Sequence, residues 1–151
     1  MDSNYYEQFM EIAKLNKKSD ELYHRIAVKL GISDAYFWTL YSVCESTEPL
    51  TQNEIAGNVG YPQQTINSAI KNLEKSGFIY LEKKAVARNS KTVHLTKDGQ
   101  RFCDEHILPI IQVSEKCFDV FSEEEIILYL ELSNKVEVAM LEELRNYIEK
   151  L

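Results

Sequence analysis

The chain has 151 residues, of which 44% are hydrophobic, and this is enough to bury the core of one ordinary domain. No apolar run approaches the roughly 20 residues of a membrane-spanning helix, and the polar N-terminus does not resemble a signal peptide, so we expect a cytoplasmic protein with no membrane partner. Three widely spaced cysteines without a C-x-x-C pair argue against a disulfide framework and fit reduced intracellular thiols.

The charge of the chain is unevenly distributed. The formal net charge is −7, which is unfavourable for contact with a polyanion. Between Thr51 and Lys97, however, seven lysines and arginines stand against three acidic residues, a local charge of +4. The rest of the chain has ten basic and 21 acidic residues, a charge of −11. A basic segment flanked by acidic ones is expected where only one module of a protein faces phosphates.

Two helices are predicted in the first third of the chain. Apolar residues recur at steps of three and four from Tyr5 to Leu30, which predicts a long amphipathic helix that Gly31 ends. A second helix is expected over 34–46, with Ser33 as its N-cap. The first of these helices has an apolar stripe that needs a partner surface.

A pair of shorter helices follows. Thr51 and Glu54 have the spacing of a capping box, which predicts the start of a short third helix. A fourth helix is expected over 62–76. Pro62 suits its first position, because the N–H that proline lacks would be unpaired there. Gly77 suits the left-handed position that stops a helix.

A β-hairpin is predicted after the fourth helix. The segments 78–83 and 91–95 are rich in β-formers, and the polar, basic stretch 84–90 separates them. Two helices joined by a tight turn and followed by a hairpin with a basic tip form a winged helix-turn-helix. The expected fold is therefore mainly α with a small β-hairpin wing.

The remaining third of the chain is predicted to be helical. Thr96 is placed to cap a fifth helix over 98–117, which Pro109 is expected to kink or break. A second capping box at Ser122 begins a sixth helix that we expect to reach Leu151. Its apolar residues recur at heptad-like steps along almost its whole length, which indicates a second long surface for association.

The fourth helix has one apolar face and one polar face. Ile66, Ala69, Ile70 and Leu73 are expected to face inward. The expected outward residues are Gln63, Gln64, Asn67, Ser68, Lys71 and Asn72. Glutamine and asparagine can pair with adenine and lysine with guanine, so this face, with the adjacent Thr65, is predicted to read base edges in a major groove of double-stranded DNA.

Two other segments are predicted to contact the DNA backbone. The hairpin tip offers mobile cations, Lys83, Lys84, Arg88 and Lys91, for phosphates or a narrow minor groove. At the start of the third helix, Thr51 and Gln52 are expected to offer backbone amides and polar side chains to a phosphate.

The order and spacing of these elements resemble the MarR/SlyA family of bacterial winged helix-turn-helix transcriptional regulators over essentially the whole chain. Three local runs of sequence carry the resemblance, at residues 50–56, 65–79 and 95–99. The resemblance implies a homodimer on a pseudo-palindromic DNA site. It divides the chain into an N-terminal dimerisation helix (1–32), a DNA-binding domain (33–97) and C-terminal dimerisation helices (98–151). It implies no catalytic residues, metal or cofactor, and a role as a repressor.

This chain departs from the family pattern at the wing and on the recognition helix. Asn89, Ser90 and Lys91 stand where the family has an Asp-x-Arg motif. Ser68 and Asn72 stand where the family often has arginine. Both departures predict a smaller phosphate contribution to DNA affinity.

Members of the family commonly respond to small aromatic compounds, and the resemblance therefore implies such an effector. The aromatic side chains nearest the expected cleft are His24, Tyr36, Trp38 and Tyr41, although their type and spacing also fit a buried core.

Several alternatives stay open. An adaptor that keeps the fold without binding DNA would explain the negative net charge. A metal sensor could use Cys103 and His106, and a thiol sensor could use Cys44, Cys103 or Cys117. An enzyme is disfavoured, because the chain has no metalloprotease motif, phosphate-binding glycine loop or nucleophile elbow.

Overall fold

The computed structural model of the chain describes residues 3–83 and 91–151, with side chains from Tyr5 onward. These ranges are mostly helical and contain a two-stranded antiparallel sheet, which confirms the expected fold class. In chain order the elements are α1 (Ser3–Leu30), α2 (Asp34–Glu45), α3 (Gln52–Val59), α4 (Gln63–Lys75), β1 (Ile79–Lys83), β2 (Lys91–Leu95), α5 (Lys97–Phe102), a π-helical turn (Cys103–Ile107), α6 (Leu108–Cys117), a 3₁₀ turn (Phe118–Val120) and α7 (Glu123–Ile148).

Side-chain caps fix the starts of the helices as the sequence predicts. The Ser33 hydroxyl accepts the Tyr36 N–H at the start of α2. At the start of α3, the Thr51 hydroxyl accepts the Glu54 N–H, and the Glu54 carboxylate accepts the Thr51 N–H in return. Ser122 begins α7 with a second capping box of this kind. These short-range signals satisfy amides that have no partner within a helix.

The start of α4 differs from the prediction by one position. Pro62 has an extended ψ of 138° and is the N-cap of α4, not its first helical residue. Its carbonyl accepts the N–H groups of Thr65 and Ile66, at 2.9 and 3.2 Å. Because a cap residue contributes only its carbonyl to the helix, the missing N–H of proline has no cost at this position either.

The end of α4 is a left-handed turn at Gly77, as predicted. Gly77 has a φ of +76°, a region that residues with a Cβ rarely adopt. Its N–H donates to the Glu74 carbonyl, and the Phe78 N–H donates to the Leu73 carbonyl. This pair of hydrogen bonds is a Schellman motif, and it directs the chain from α4 straight into β1.

The core of the first of two compact units, Met1–Pro109, lies among α2, α3, α4 and the hairpin. Its fully buried side chains are contributed by every one of these elements. The largest of them are Phe37, Leu40, Ile55, Ile66, Ile70, Leu73, Ile79 and Val93. The second part of α1 packs on α2 through Ala27 and the ring of Tyr23, whereas most apolar residues of its first part, from Tyr5 to Leu15, are exposed.

The helix that Thr96 caps begins at Lys97 and continues to Cys117, so the break expected near Leu108 does not occur; the irregularity there is a π-helical turn. A π-helical turn precedes the proline, and in it the Leu108 N–H donates to the Cys103 carbonyl. A turn of this type includes an additional residue, so the helix accommodates a missing donor and continues.

The second compact unit, Ile110–Leu151, ends in the long helix α7. Phe118, Phe121 and Tyr129 form an aromatic cluster next to the start of this helix. In the chain as described, no residue of α7 is buried. Leu130, Val136 and Leu144 are each more than half exposed.

Across the described residues, no helix has both the length and the apolar character needed to span a membrane.

Candidate nucleic-acid interface

Helices α3 and α4 form a helix-turn-helix whose turn is residues 60–62. Gly60 caps α3 in the left-handed conformation, and its N–H donates to the Ala56 carbonyl at 3.1 Å. The hairpin is attached to the start of α3, because the Val93 N–H donates to the Leu50 carbonyl at 2.8 Å. Thr51 also pairs with Thr92 in an isolated antiparallel bridge. The wing and the helix-turn-helix therefore form one hydrogen-bonded assembly.

Helix α4 has two opposite faces. Ile66, Ile70 and Leu73 are fully buried, and Ala69 is 4% exposed. The opposite face follows helical spacing of i, i+4, i+7, i+8 and i+11, and all of its residues are exposed. We name it the reading face, and it consists of Gln64, Ser68, Lys71, Asn72 and Lys75. It contains amide, hydroxyl and ammonium groups and no acidic group, which suits hydrogen bonding to base edges and phosphates.

Three predicted contact residues of α4 lie beside the reading face and not on it. The Gln63 side-chain amide donates to the Asn53 side-chain oxygen, Oδ1, on α3, so part of its hydrogen-bonding capacity is used within the protein. Asn67 is half-buried, and its Oδ1 atom is buried without a hydrogen-bond partner in the part of the chain described. Thr65 is half-buried on the other flank. The prediction that Asn67 points outward is therefore wrong for its side-chain oxygen.

Ser68 is on the reading face, but its hydroxyl is partly used. It donates to the Gln64 carbonyl one turn earlier, at 3.0 Å. A hydroxyl bonded in this way can still accept a hydrogen bond through its oxygen.

The start of α3 offers less to a phosphate than the sequence suggests. The Thr51 N–H is 2.6 Å from the Glu54 carboxylate, and the Thr51 hydroxyl accepts the Glu54 N–H. Gln52, the first residue of α3, is half-buried. The expectation that Thr51 presents a free amide is wrong, because its own capping box occupies that amide.

A pair of lysines marks the base of the wing. The register of the hairpin places Lys83 directly opposite Lys91, and both side chains are exposed. Like charges directly opposite each other on one sheet face repel. Neither lysine forms an ion pair with any residue in the described ranges. The wing-tip residues Lys84 and Arg88, and the Asn89-Ser90 part of the motif position, lie outside those ranges.

A junction at Thr96 fixes the wing and α5 to the end of α4. The Thr96 hydroxyl donates to the Gly77 carbonyl at 2.6 Å and accepts the Gly99 N–H at 3.1 Å. The Thr96 N–H donates to the Phe78 carbonyl at 3.0 Å. A Cβ at Gly99 would lie 1.8 Å from the Phe78 carbonyl oxygen, so only glycine fits. We call these four residues the Thr96 junction.

The structure adds Lys75 to the site. The sequence includes this residue in the charge of the basic segment without assigning it a role, although it lies four residues after Lys71 and so on the same helical face. Lys83 is already one of the cations that the sequence assigns to the hairpin, and the register places it directly opposite Lys91. The spacing along the helix could have identified Lys75, whereas the pairing of the two wing lysines needed the register.

The four side chains expected near an effector cleft do not lie together. Trp38 and Tyr41 line a cavity together with residues of α3. Tyr36 is buried against the Phe78 ring, and burial raises the pKa of its phenol. His24 is exposed and its Nδ1 lies 2.9 Å from the Asp34 carboxylate.

The cysteines and histidines form no metal cluster within the described residues. Cys103 is buried, and its thiol contacts that of Cys44. That contact and burial raise the pKa of Cys103. Cys117 is exposed. His106 is half-buried and stacks edge-on with the Phe102 ring.

Comparison with known proteins identifies similar sequences and folds. A family model described as the MarR family matches residues 30–88. An HTH-type transcriptional regulator of Bacillus cereus, described as uncharacterized, is 26% identical over 129 residues, which are 85% of each chain.

Solved structures share the fold. A MarR family regulator from Neisseria meningitidis is 19% identical and has a TM-score of 0.73, over 92% of this chain and 98% of that one. A MepR–DNA complex of S. aureus is 19% identical with a TM-score of 0.69, over 85% and 93%. A MarR of Staphylococcus aureus in complex with salicylate and kanamycin is 17% identical with a TM-score of 0.67, over 93% and 95%.

Proposed function

We propose that the chain is a winged helix-turn-helix transcriptional regulator of the MarR family, which its similarity to that family supports, and that it binds double-stranded DNA sequence-specifically as a homodimer. In this proposal residues 33–97 bind the DNA, and 1–32 and 98–151 dimerise. The protein acts as a repressor in the cytoplasm, where its DNA lies, and a small aromatic effector releases it.

The observation that carries the proposal is the reading face. Its opposite side is fully buried in the core, so α4 cannot rotate to hide these polar groups. Asparagine, serine and glutamine have no higher helix propensity than alanine. Their presence on a solvent-exposed helix face therefore favours a function other than stabilising the helix. A helix presented in this way fits the width of a major groove, and the two lysines at the wing base add phosphate contacts beside it.

The homodimer is supported by the exposed apolar side chains of α1 and α7. On α7 these include Leu130, Val136 and Leu144, and on α1 they include Tyr5 and Ile12. A folded monomer rarely leaves so many large apolar residues in water. A second copy of the chain is the occupant we propose, because a two-fold dimer would present two recognition helices to successive major grooves, about 34 Å apart, on a pseudo-palindromic site.

DNA binding is tested by the salt dependence of affinity. We expect a fragment of the protein's own promoter region, or fragments selected from its genome, to bind with an affinity that falls steeply with salt, because lysines displace counterions from phosphates. Fluorescence anisotropy with labelled fragments measures this slope. Three variants each remove one cation: Lys71→Ala, Lys75→Ala and Arg88→Ala. If the side chain reads a base, the variant should weaken binding by about 1–3 kcal/mol. If it neutralises a phosphate, the variant should flatten the salt slope by about one.

Lys150→Ala is the matched control, because it removes one exposed lysine outside residues 33–97. It should leave both affinity and salt slope unchanged. A flat salt response of the unmodified protein, or equal effects of Lys71→Ala and Lys150→Ala, would show that the protein does not use the reading face on DNA. An adaptor of the same fold would instead keep its protein partner in both variants.

A further inference from the structure

A cavity of about 210 Å³ lies between α2 and the end of α3, inside the winged helix-turn-helix lobe. Helix α2 contributes four residues at i, i+3, i+4 and i+7, which is the spacing of one helix face. The residues lining the cavity are Trp38, Tyr41, Ser42, Glu45, Asn58 and Val59. Its volume is below the roughly 300–1,000 Å³ of sites for drug-sized ligands, which limits any occupant to a small molecule.

The aromatic side of the cavity is held in place by its own packing. The rings of Trp38 and Tyr41 have centroids 5.2 Å apart and planes inclined at 58°, and both residues line the cavity. Behind them, Tyr23 packs on Trp38 at 4.8 Å and Phe37 meets the indole edge-on at 5.2 Å. Rings fixed in this way lose little conformational freedom when a ligand binds.

The polar side of the cavity is negative. Glu45 is exposed and forms no ion pair with the residues that the structure describes. The other polar groups are occupied with each other, because the Asn58 amide donates to the Ser42 hydroxyl at 3.3 Å. A carboxylate attracts a cation and repels an anion, and aromatic rings beside it add attraction through their quadrupoles where the cation meets a ring face.

We propose that this cavity binds a small organic cation of the quaternary ammonium or alkylammonium class. The alkyl groups of the cation contact the Trp38 and Tyr41 rings, and Glu45 neutralises its charge. Metal ions are poor occupants by comparison, since the lining provides a single carboxylate.

Occupancy of the cavity would act on the DNA-binding lobe, because the ligand touches the last residues of α3, immediately before the turn that leads to α4. Only this regulatory consequence rests on the proposed function. Binding of the cation itself is measured on the free protein, so failure of DNA binding and failure of the cavity proposal give different results.

The test uses choline and its neutral isostere, 3,3-dimethylbutan-1-ol, which has the same shape without the charge. Trp38 is the single tryptophan of the chain, so its intrinsic fluorescence reports directly on the cavity wall. At constant chloride, choline should change this fluorescence saturably. The isostere should bind about tenfold more weakly, the difference that a cation–π contact and a carboxylate supply together.

Glu45→Gln should lower choline affinity about tenfold and leave the isostere unchanged. Glu48→Gln is the matched control, because Glu48 is an exposed carboxylate nearby that does not line the cavity; it should bind choline as the unmodified protein does. Tyr41→Phe should retain binding through its ring, and Tyr41→Leu should lose most of it.

Equal affinities for choline and the isostere, unchanged choline affinity in Glu45→Gln, or no saturable fluorescence change would each overturn the proposal. Tighter binding of an aromatic anion such as salicylate to the same wall would also overturn it, because Glu45 should repel that ligand. If choline binds as expected and the protein has no affinity for DNA, the cavity proposal stands and the proposed function falls.

Discussion

Cys103 is a buried thiol that its surroundings keep protonated. Its side chain is 1% exposed. Hydrogen bonding to the Cys44 thiol and burial both raise its pKa above the ordinary value. Thiol sensors need a thiolate with access to solvent, so Cys103 does not suit a role as the reactive group of a sensor at neutral pH.

This raised pKa predicts that the protein loses stability in alkaline solution. Below a pH of about 9 both folded and unfolded chains keep the Cys103 proton, and the stabilisation is fully present. Above it the unfolded chain releases the proton and the folded chain does not. The free energy of unfolding should therefore fall by about 1.4 kcal/mol for each pH unit. Urea unfolding between pH 8 and 10.5 measures this slope.

Two alanine variants separate Cys103 from the other groups that titrate in this range. Cys103→Ala should lower stability at neutral pH, through the small cavity it creates, and flatten the alkaline slope. Cys117→Ala removes an exposed thiol and should keep the slope of the unmodified protein. A slope that is the same in both variants would exclude Cys103 as its source.

At the residue scale, the sequence predicts types of side chain better than their hydrogen-bond partners. Lys71 and Asn72 are exposed on α4 as predicted, because apolar periodicity fixes which face is buried. Thr51 and Gln63 are bonded within the protein, and the Asn67 oxygen is buried. The Thr51–Glu54 capping box is local, and the sequence predicts it. A pattern along one helix contains no information about neighbours on another element, and for this reason it cannot predict the surroundings of Gln63 and Asn67.

At the element scale, the Thr96 junction places the wing relative to α4. We expect Gly99→Ala to lower the free energy of unfolding by about 3 kcal/mol or more, because the added methyl overlaps backbone atoms of Phe78, which cannot move as a flexible side chain would. Chemical denaturation measures this loss. DNA affinity should fall with it, since the junction positions the wing.

Gly57→Ala is the matched control. Gly57 lies within α3, and a Cβ there meets nothing within 4 Å. The variant should be more stable than the unmodified protein, by up to about 1 kcal/mol, because alanine is the better helix former. Equal stability of the two variants would mean that the close approach at Gly99 is relieved by movement of the backbone.

Element boundaries are predicted well where a side chain caps a helix and less well at prolines. Ser33, Thr51, Thr96 and Ser122 all cap the helices that the sequence assigns to them. Capping depends on residues three or four positions apart, which a sequence contains. Pro109 indicates where this helix is irregular, but a proline in the sequence does not specify whether the irregularity is a kink, a break or a π-helical turn.

At the scale of the whole molecule, the exposed apolar residues of α7 predict a dimer that a single charge can weaken. Leu144 is 51% exposed in a single copy of the chain. We expect Leu144→Glu to shift the protein from dimer to monomer, because a carboxylate buried in an apolar interface costs several kcal/mol. Analytical ultracentrifugation measures the mass in solution, and DNA affinity should fall in parallel.

Lys135→Glu tests whether position on the helix matters. Residue 135 lies nine positions before Leu144 and therefore on the opposite face of α7. This variant should keep the mass of the unmodified protein. Dissociation by both variants, or by neither, would argue against an interface along the apolar stripe.

The boundary between the basic segment and the acidic rest of the chain also separates the helix-turn-helix and hairpin from the long helices. The +4 segment contains α3, α4 and the hairpin, and the acidic remainder contains α1 and α7. Composition along the sequence can therefore indicate the segment that we propose faces DNA. It cannot locate the cavity beside α3, because the walls of that cavity come from two helices that only the fold brings together.

The facing lysines at the wing base have a consequence for how ions act on this protein. In the free protein, Lys83 and Lys91 repel each other across the hairpin, and added salt reduces that repulsion by screening it. Phosphates of a bound duplex would also reduce the repulsion between the two lysines. DNA and dissolved anions therefore have the same effect on this pair. Raising the ionic strength would therefore weaken the complex in two ways, by stabilising the unbound wing and by shielding the duplex.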